Sequence, residues 1–360
     1  MLDSLVLRRV GLWSATLAFG FGLASLIGEV ALRLLIFSPS PALKPFQNPN
    51  LYADFRTDDD WWKLYLRLGG KHKPPDKPDP LLGWVFDYFD RDTLRHREAD
   101  KVGERRPVLL FGDSFADCMD EVPCFEVFLN ADPEFTRKHY FLNYGMAGYG
   151  LDQVYLLMQK TLPLYQDPIV IFSFMLEDLD RCVQKFRGGQ KPMFEVAGDE
   201  LHLTNVPIDA HPYEWLARNP IAIRSYLYEL LRRAPYKAFG RLRGKPWEEE
   251  NKVEAKQRVG AAILKASLGE LQRRQLTYKV LVFHPLRGRS WRDEFVRSYF
   301  QRAGVSYQPT EEIIRQHAGQ EDVFTLEMRR KYTLPDLDHP NALQNEVVAK
   351  YIKQYVLSLN

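Results

Sequence analysis

A chain of 360 residues, 45% hydrophobic and 27% charged, can bury a sizeable core, as one large domain with insertions or as two small ones. Its formal charge of +2 over that length gives no case for nucleic acid as the main partner.

The first element in the chain is apolar. Val10 to Gly28, "VGLWSATLAFGFGLASLIG", carries no charge and runs on into "VALRLLIF", long enough for a membrane-spanning helix of about 20 residues. Arg8 and Arg9 precede it and favour a cytoplasmic N-terminus with the remainder exported, although Arg33 and Lys44 on the far side blunt the asymmetry. A cleaved signal peptide and a buried core helix are the rival readings. A signal peptide would usually have a shorter apolar region and a small-x-small cleavage site, and no clear site follows. The reading adopted is an uncleaved, single-pass anchor over residues 1–37 in the inner (plasma) membrane, with the rest on the periplasmic or extracellular side.

Residues 38–105 read as spacer and cap. They are rich in Pro, Asp and Lys up to about residue 80, with a short helix expected around "DDDWWKLYLRLGG". From about residue 106 the pattern changes to short apolar runs: "PVLLF" at 107–111, "YFLNY" at 140–144, "PIVIFSF" at 168–174, "KVLVF" at 279–283 and, weakly, "VFTL" at 323–326. Between them lie stretches such as "LDQVYLLMQKTLPLY" and "AKQRVGAAILKASLGELQRRQ", with apolar residues at helical spacings of three and four. Near-continuous apolar strands alternating with helices predict an α/β sandwich around a parallel sheet, here over 106–360. An insertion at about 183–250 interrupts it with a hairpin turning at Gly198 and Asp199, the helix "AIRSYLYELLRR" and a basic stretch read as solvated surface rather than a lipid contact.

Export would permit disulfides, but Cys118, Cys124 and Cys182 are odd in number. Cys118 and Cys124 are near enough to bridge, yet spacing does not give geometry, and three buried or free thiols is the reading favoured. No Cys/His spacing suggests a zinc site, and no cofactor is implied.

Three elements could carry chemistry. Gly112, Asp113 and Ser114 follow the first strand at the carboxyl edge of the sheet, where ligands meet open parallel sheets. A helix starting near Phe115 would aim its first N–H groups at whatever Ser114 attacks. In "LNYGMAGYGLDQ" three glycines open the next loop, and the Gly145 N–H could be a second oxyanion donor. In "LPDLDHPNALQNEVVAKYI" Asp336 stands three residues before His339, ahead of a helix from about Ala342. That spacing lets a carboxylate hold the imidazole tautomer that takes a serine proton. Each element alone reads better as a turn, a flexible loop or a surface pair.

Together, in composition, order and spacing, they resemble the SGNH, or GDSL-type, hydrolase family. The resemblance runs from "DPLLGWVFD" at 79–87 through "VLLFGDSFADC", "LNYGMAGYGLDQ" and "PIVIFSFMLEDLDR" to "DLDHPNALQNEVVAKYI". The anchor ending in "GEVALRLL" is similar to the membrane-tethered bacterial branch. The resemblance implies a three-layer α/β/α fold and an acyl-enzyme mechanism. Ser114 would be nucleophile, His339 general base, Asp336 its orienting acid, and Ser114 and Gly145 backbone oxyanion donors. The family's fourth block ordinarily places an Asn after the third strand, whereas this chain has Glu177 followed by Asp178. The implied function is a membrane-anchored, exported esterase or O-acyltransferase acting on acylated envelope carbohydrate, with no protein partner indicated. The alternative is a family member that has lost hydrolysis and serves in carbohydrate binding or assembly.

Overall fold

The computed structural model describes residues 2–70, 78–90, 92–118, 122–198, 200–209, 211–233, 250–335 and 339–359. The chain divides into two units, one from Met1–His72 with Leu216–Glu249 and one from Lys73–Trp215 with Glu250–Asn360. The expected boundaries at 37, 105 and 183–250 differ from these. Residues 38–72 belong with the N-terminal helix, and the insertion is shared between the units.

In the first unit α1 (Leu2–Ile36) is followed by two 3-10 turns and by α2 (Asp59–Arg67); α9 covers residues 226–233. Gly11–Ile36, 26 residues, is long and apolar enough to cross a membrane. Its Leu12, Trp13, Leu17, Phe19 and Phe21 are 68–78% exposed, so the protein offers these side chains no core. The last turns differ, because Leu32 and Ile36 pack with Tyr52, Leu64 and Tyr226 in a small core. Glu29 holds α9 to α1. Its carboxylate accepts from Ser225 Oγ at 2.9 Å, the Tyr226 N–H at 3.1 Å and the Leu227 N–H at 2.8 Å. The two N–H groups lie at a helix start and lack intrahelical acceptors.

The second unit carries the parallel sheet. Its elements are β1 (Pro78–Asp79), β2 (Gly83–Trp84), β3 (Arg106–Gly112), α3 (Ser114–Asp117), α4 (Phe125–Asn130), α5 (Pro133–Thr136), β4 (His139–Gly145), α6 (Leu151–Thr161), β5 (Ile169–Met175) and α7 (Asp178–Arg181). After them come β6 (Met193–Ala197), β7 (Glu200–Thr204), α8 (Pro212–Arg218), α10 (Glu250–Arg273), β8 (Thr277–Phe283), α11 (Trp291–Ala303), β9 (Tyr307–Pro309), α12 (Thr310–His317), α13 (Leu326–Tyr332) and α14 (Ala342–Leu357). The five-stranded sheet has the order β4-β3-β5-β8-β9, every pair parallel. The expected hairpin is β6–β7, turning at Gly198; Asp199 lies outside the described residues.

Strand alternation divides the core into two layers. Leu109, Phe111, Tyr140, Leu142, Tyr144, Val170, Phe172, Phe174, Val280 and Val282 face a cluster with α6, α10 and α11. Their neighbours Val108, Leu110, Phe141, Ile169, Ile171, Met175, Leu281 and Phe283 face α3, α4, α12 and α14. The fold is therefore a three-layer α/β/α sandwich, as expected. One strand is corrected. "VFTL" at 323–326 is no strand, since Val323 is buried among Leu286, Ile314, Met328 and Tyr332 beside the start of α13. The fifth strand is β9, whose three half-buried residues gave no apolar run to read.

Replacing Glu29 by Ala removes the cap of α9, a loss of about 1 kcal/mol for a helix start. Hydrogen exchange at the Tyr226 and Leu227 amides is expected to quicken several-fold while sheet amides keep their protection. Unchanged exchange there would show the carboxylate to be incidental.

Candidate active site

Ser114 stands where β3 ends. Gly112 closes the strand so tightly that a Cβ would overlap Ser173 Oγ and Ala116 Cβ. Asp113 caps α3, its Oδ1 accepting the Phe115 N–H at 3.0 Å, so Ser114 is the first residue of the helix. Ser114 is 6% exposed, and its N–H has no hydrogen-bond partner among the described residues. At the other end of α3, Cys118 and Cys124 form a disulfide, while Cys182 is free and buried. The expectation of three thiols is thus corrected: the Cα atoms of Cys118 and Cys124 stand 5.7 Å apart, a separation that suits a bridge.

His339 arrives from the far end of the chain. The Leu334 N–H donates to the His339 carbonyl at 2.8 Å, an antiparallel bridge joins Thr333 to Pro340, and Asn341 caps α14. Its Nε2 lies 3.3 Å from Ser114 Oγ, and its ring rests 5.5 Å from that of Phe115. Asp336 falls outside the described residues. His284 is engaged elsewhere. Its Nδ1 accepts the Leu286 N–H at 2.9 Å, which places its ring proton on Nε2, 3.0 Å from Asp293 Oδ1. No lone pair is left to act as a base. His96 is likewise spent, accepting the Glu98 N–H at Nδ1, and burial pushes its pKa down to about 4.

Gly145 is placed differently from the expectation. Its N–H donates to Asn143 Oδ1 at 2.8 Å and its carbonyl accepts from Tyr88 Oη at 2.9 Å, so neither group is offered to a ligand. It is glycine for another reason: a Cβ would overlap the Asp117 N and the Ala116 carbonyl carbon, driving α3 off the sheet. The glycine that the sequence reading passed over is Gly148, in the partly exposed loop after β4, at φ +83°. Its N–H has no acceptor among the described residues. Trp84, from the "DPLLGWVFD" block, braces this loop by donating Nε1–H to the Ala147 carbonyl at 3.1 Å. The signal for Gly148 in the sequence is only that it is one glycine of three.

The stretch after β5 carries the largest surprise. Glu177, at the expected Asn position, has Oε1 3.8 Å from Arg287 Nη1. Arg181, four residues after Glu177, is committed to other groups. Its Nη1 is 3.0 Å from Asp113 Oδ2, 2.6 Å from Asp178 Oδ1 and 2.6 Å from the Tyr149 carbonyl oxygen, with both carboxylates fully buried. Asp178 also accepts the Met175 N–H at 2.9 Å. Burial, then the Asp113 carboxylate, push the Asp178 carboxyl up from its ordinary value, while the guanidinium pulls it the other way. One cation thus joins the serine turn, the glycine loop and the end of β5. Beyond α3 lies a cavity of about 380 Å³ lined by Tyr88, Asp117, Glu126, Asn143 and the disulfide, with neither Ser114 nor His339 in its wall.

No family model and no curated protein matches the chain. Solved structures do. LAE5, an alpha/beta hydrolase enzyme from the metagenome of Lake Arreo, Spain, is 14% identical with a TM-score of 0.36, covering 71% of this chain and 96% of its own. Axe2, an acetylxylan esterase from Geobacillus stearothermophilus, is 13% identical with a TM-score of 0.36, covering 71% and 95%. A protein from Lactobacillus plantarum is 14% identical with a TM-score of 0.38, covering 71% and 98%. At these values the reading of the site rests on its own geometry.

Two substitutions probe that geometry. Arg181→Met removes the cation hydrogen-bonded to both buried carboxylates, a loss of about 3–5 kcal/mol in unfolding free energy by urea titration. A change below about 1 kcal/mol would be of the size expected for an exposed ion pair and would remove the network from its central place. Gly145→Ala inserts a methyl against the α3 backbone and is expected to cost about 1–3 kcal/mol.

Proposed function

We propose that this chain is a membrane-anchored, exported serine esterase or O-acyltransferase acting on acylated envelope carbohydrate. The observation that carries the reading is the approach of Ser114 Oγ to His339 Nε2 at 3.3 Å across 225 residues of chain, at the carboxyl edge of the parallel sheet. A serine hydroxyl is a weak nucleophile at neutral pH and needs such a base. His339 takes the proton as Oγ bonds to the ester carbonyl carbon, then returns it to the departing alkoxide as the carbonyl–oxygen bond breaks. Water, or a sugar hydroxyl in the transfer reaction, gives its proton to the same Nε2 while attacking the acyl carbon; the bond from that carbon to Ser114 Oγ then breaks, and Nε2 returns the proton to Oγ. Asp336 is the proposed orienting acid. The unpartnered N–H groups of Ser114 and Gly148 are the proposed donors to the oxyanion, in place of Gly145.

Two features support the setting. α1 has the length and exposed apolar surface of a span. The Cys118–Cys124 disulfide supports the oxidising side of the membrane for the second unit, since such bonds persist outside the reducing cytoplasm. Carbohydrate, the acyl group and transfer rather than hydrolysis rest on the family resemblance.

A second reading, a binding or assembly component without turnover, is favoured by Glu177. An ionised carboxylate about 4 Å from the developing oxyanion would oppose it by about 4 kcal/mol at an effective dielectric of about 20. The nearby Arg287 lessens that penalty. A fluorophosphonate probe separates the readings: labelling of the wild type, lost in Ser114→Ala and at least about 100-fold slower in His339→Ala, supports the enzyme. A folded protein that never labels favours the binding component. For the enzyme, Glu177→Asn is expected to raise kcat/KM on a simple ester at pH 7–8. A clear loss instead would assign Glu177 a positive role in binding or catalysis.

A further inference from the structure

The chain meets its membrane with more than one helix. Glu29 is the only charged residue between Arg9 and Arg33, in a stretch otherwise fit for lipid. A carboxylate there is costly unless partnered, and intramembrane ionisable groups characteristically face polar partners. Here every partner but one comes from the start of α9: Ser225 Oγ and the Tyr226 and Leu227 amides, with Arg33 Nε at 2.6 Å completing the set. Arg33 adds a second tie, donating from Nη2 to the Arg224 carbonyl at 2.9 Å, and lies 5.0 Å above the Tyr226 ring. Leu227 packs so closely on α1 that a Cβ at Gly28 would stand 3.1 Å from its Cδ2. Whatever depth Glu29 takes, the start of α9 takes it too.

That depth follows from length. The 26 residues of Gly11–Ile36 extend about 39 Å as a helix, against a hydrocarbon core of about 30 Å. With Arg8 and Arg9 held at one face, the other boundary falls near Glu29, and Val30 to Ile36 lie among the headgroups. At that level the unit exposes apolar side chains from both helices: Val30 at 50% and Leu34 at 70% on α1, Tyr228 and Leu231 each at 62% on α9. Water gains nothing from these, whereas the headgroup zone suits them, and tyrosine in particular. Cations accompany them in the manner of interfacial arginines, with Arg67 4.6 Å from the Phe37 ring and Arg232 5.9 Å from that of Tyr228.

We infer that α9 is a second membrane element, seated in the lipid–water interface against the end of α1, with its Tyr228 and Leu231 face in contact with lipid. The inference rests on α1 being a span. It changes what the anchor does, because a span alone leaves a domain free to swivel, while a span clamped to an interfacial helix fixes the orientation of its own unit to the bilayer plane.

The test uses the full chain, with Cys182→Ala as background, carrying one cysteine at Leu17, Tyr228 or Leu231 labelled with an environment-sensitive fluorophore. Each is reconstituted into mixed phosphatidylcholine and phosphatidylglycerol vesicles, with and without lipids bearing a nitroxide near the headgroup. All three replaced side chains are exposed, so folding should survive, and intact Cys118–Cys124 pairing in each variant checks it. Nitroxide lipid is expected to quench the labels at 228 and 231 at least about twofold, as for a face about 5–10 Å into the boundary. The label at 17 reports the span. Quenching at 17 but not at 228 and 231 overturns the inference and leaves the anchor standing. No quenching at 17 overturns both.

Discussion

The arrangement of the site depends on one buried guanidinium. Arg181 Nη1 lies within hydrogen-bond distance of Asp113, Asp178 and the Tyr149 carbonyl, and these come from three loops that would otherwise be independent. Asp113 caps the helix that begins with Ser114, so the cation holds the Ser114 turn. Tyr149 follows Gly148, so it holds the glycine loop as well. Asp178 opens α7 and accepts the Met175 N–H, which fixes the chain's departure from β5 beside Glu177. A buried Lys191 extends the arrangement, pairing with Asp152 on α6 and donating to the Arg181 carbonyl at 3.1 Å.

Glycine does the complementary work. The cation can gather three loops only if their backbones approach, and Gly112 and Gly145 have no Cβ where one would strike Ala116, Ser173 or the α3 backbone. Ser173 uses the space, donating its hydroxyl to the Phe111 carbonyl at 2.7 Å. The serine therefore sits on a helix pressed against the sheet rather than on a free loop. This kind of fixed placement keeps Ser114 and His339 facing each other although they come from distant parts of the chain.

How much of this was legible follows from which interactions are local. The first four sheet strands announced themselves because strands buried on both faces must be apolar throughout, and the hairpin because Gly198 punctuates two alternating runs. β9 is short and half-buried, so it left no pattern, and "VFTL" imitated one. Ser114 and His339 were singled out by residue type and order, and the structure brings their side chains together. Gly145 was misassigned because sequence shows that a glycine is needed and not whether for φ, for a free N–H or for close packing. Of the acceptors of Arg181, only Asp178 is near in sequence; Asp113 and Tyr149, 68 and 32 residues upstream, could not be read from spacing. The disulfide failed for the same reason: six residues of separation permit a bridge without requiring one.

The two units solve the same electrostatic problem in different surroundings. In the second unit, two buried carboxylates share the Arg181 guanidinium, and desolvation is severe enough that Asp178 is pushed up despite it. Such a network is weak evidence for stability, since apolar packing often serves as well. What apolar side chains cannot supply is direction: a carboxylate accepts from a chosen N–H and a guanidinium donates to a chosen carbonyl. In the first unit the carboxylate of Glu29 interrupts an otherwise apolar stretch of helix. Its acceptors are spent on the start of a helix nearly 200 residues away, and a leucine there would leave the Tyr226 and Leu227 amides without that acceptor. In both places a partnered charge specifies which segment packs where, and it does so at the elements that the proposed function needs held, the turn carrying Ser114 and the join between the apolar helix and the rest of its unit.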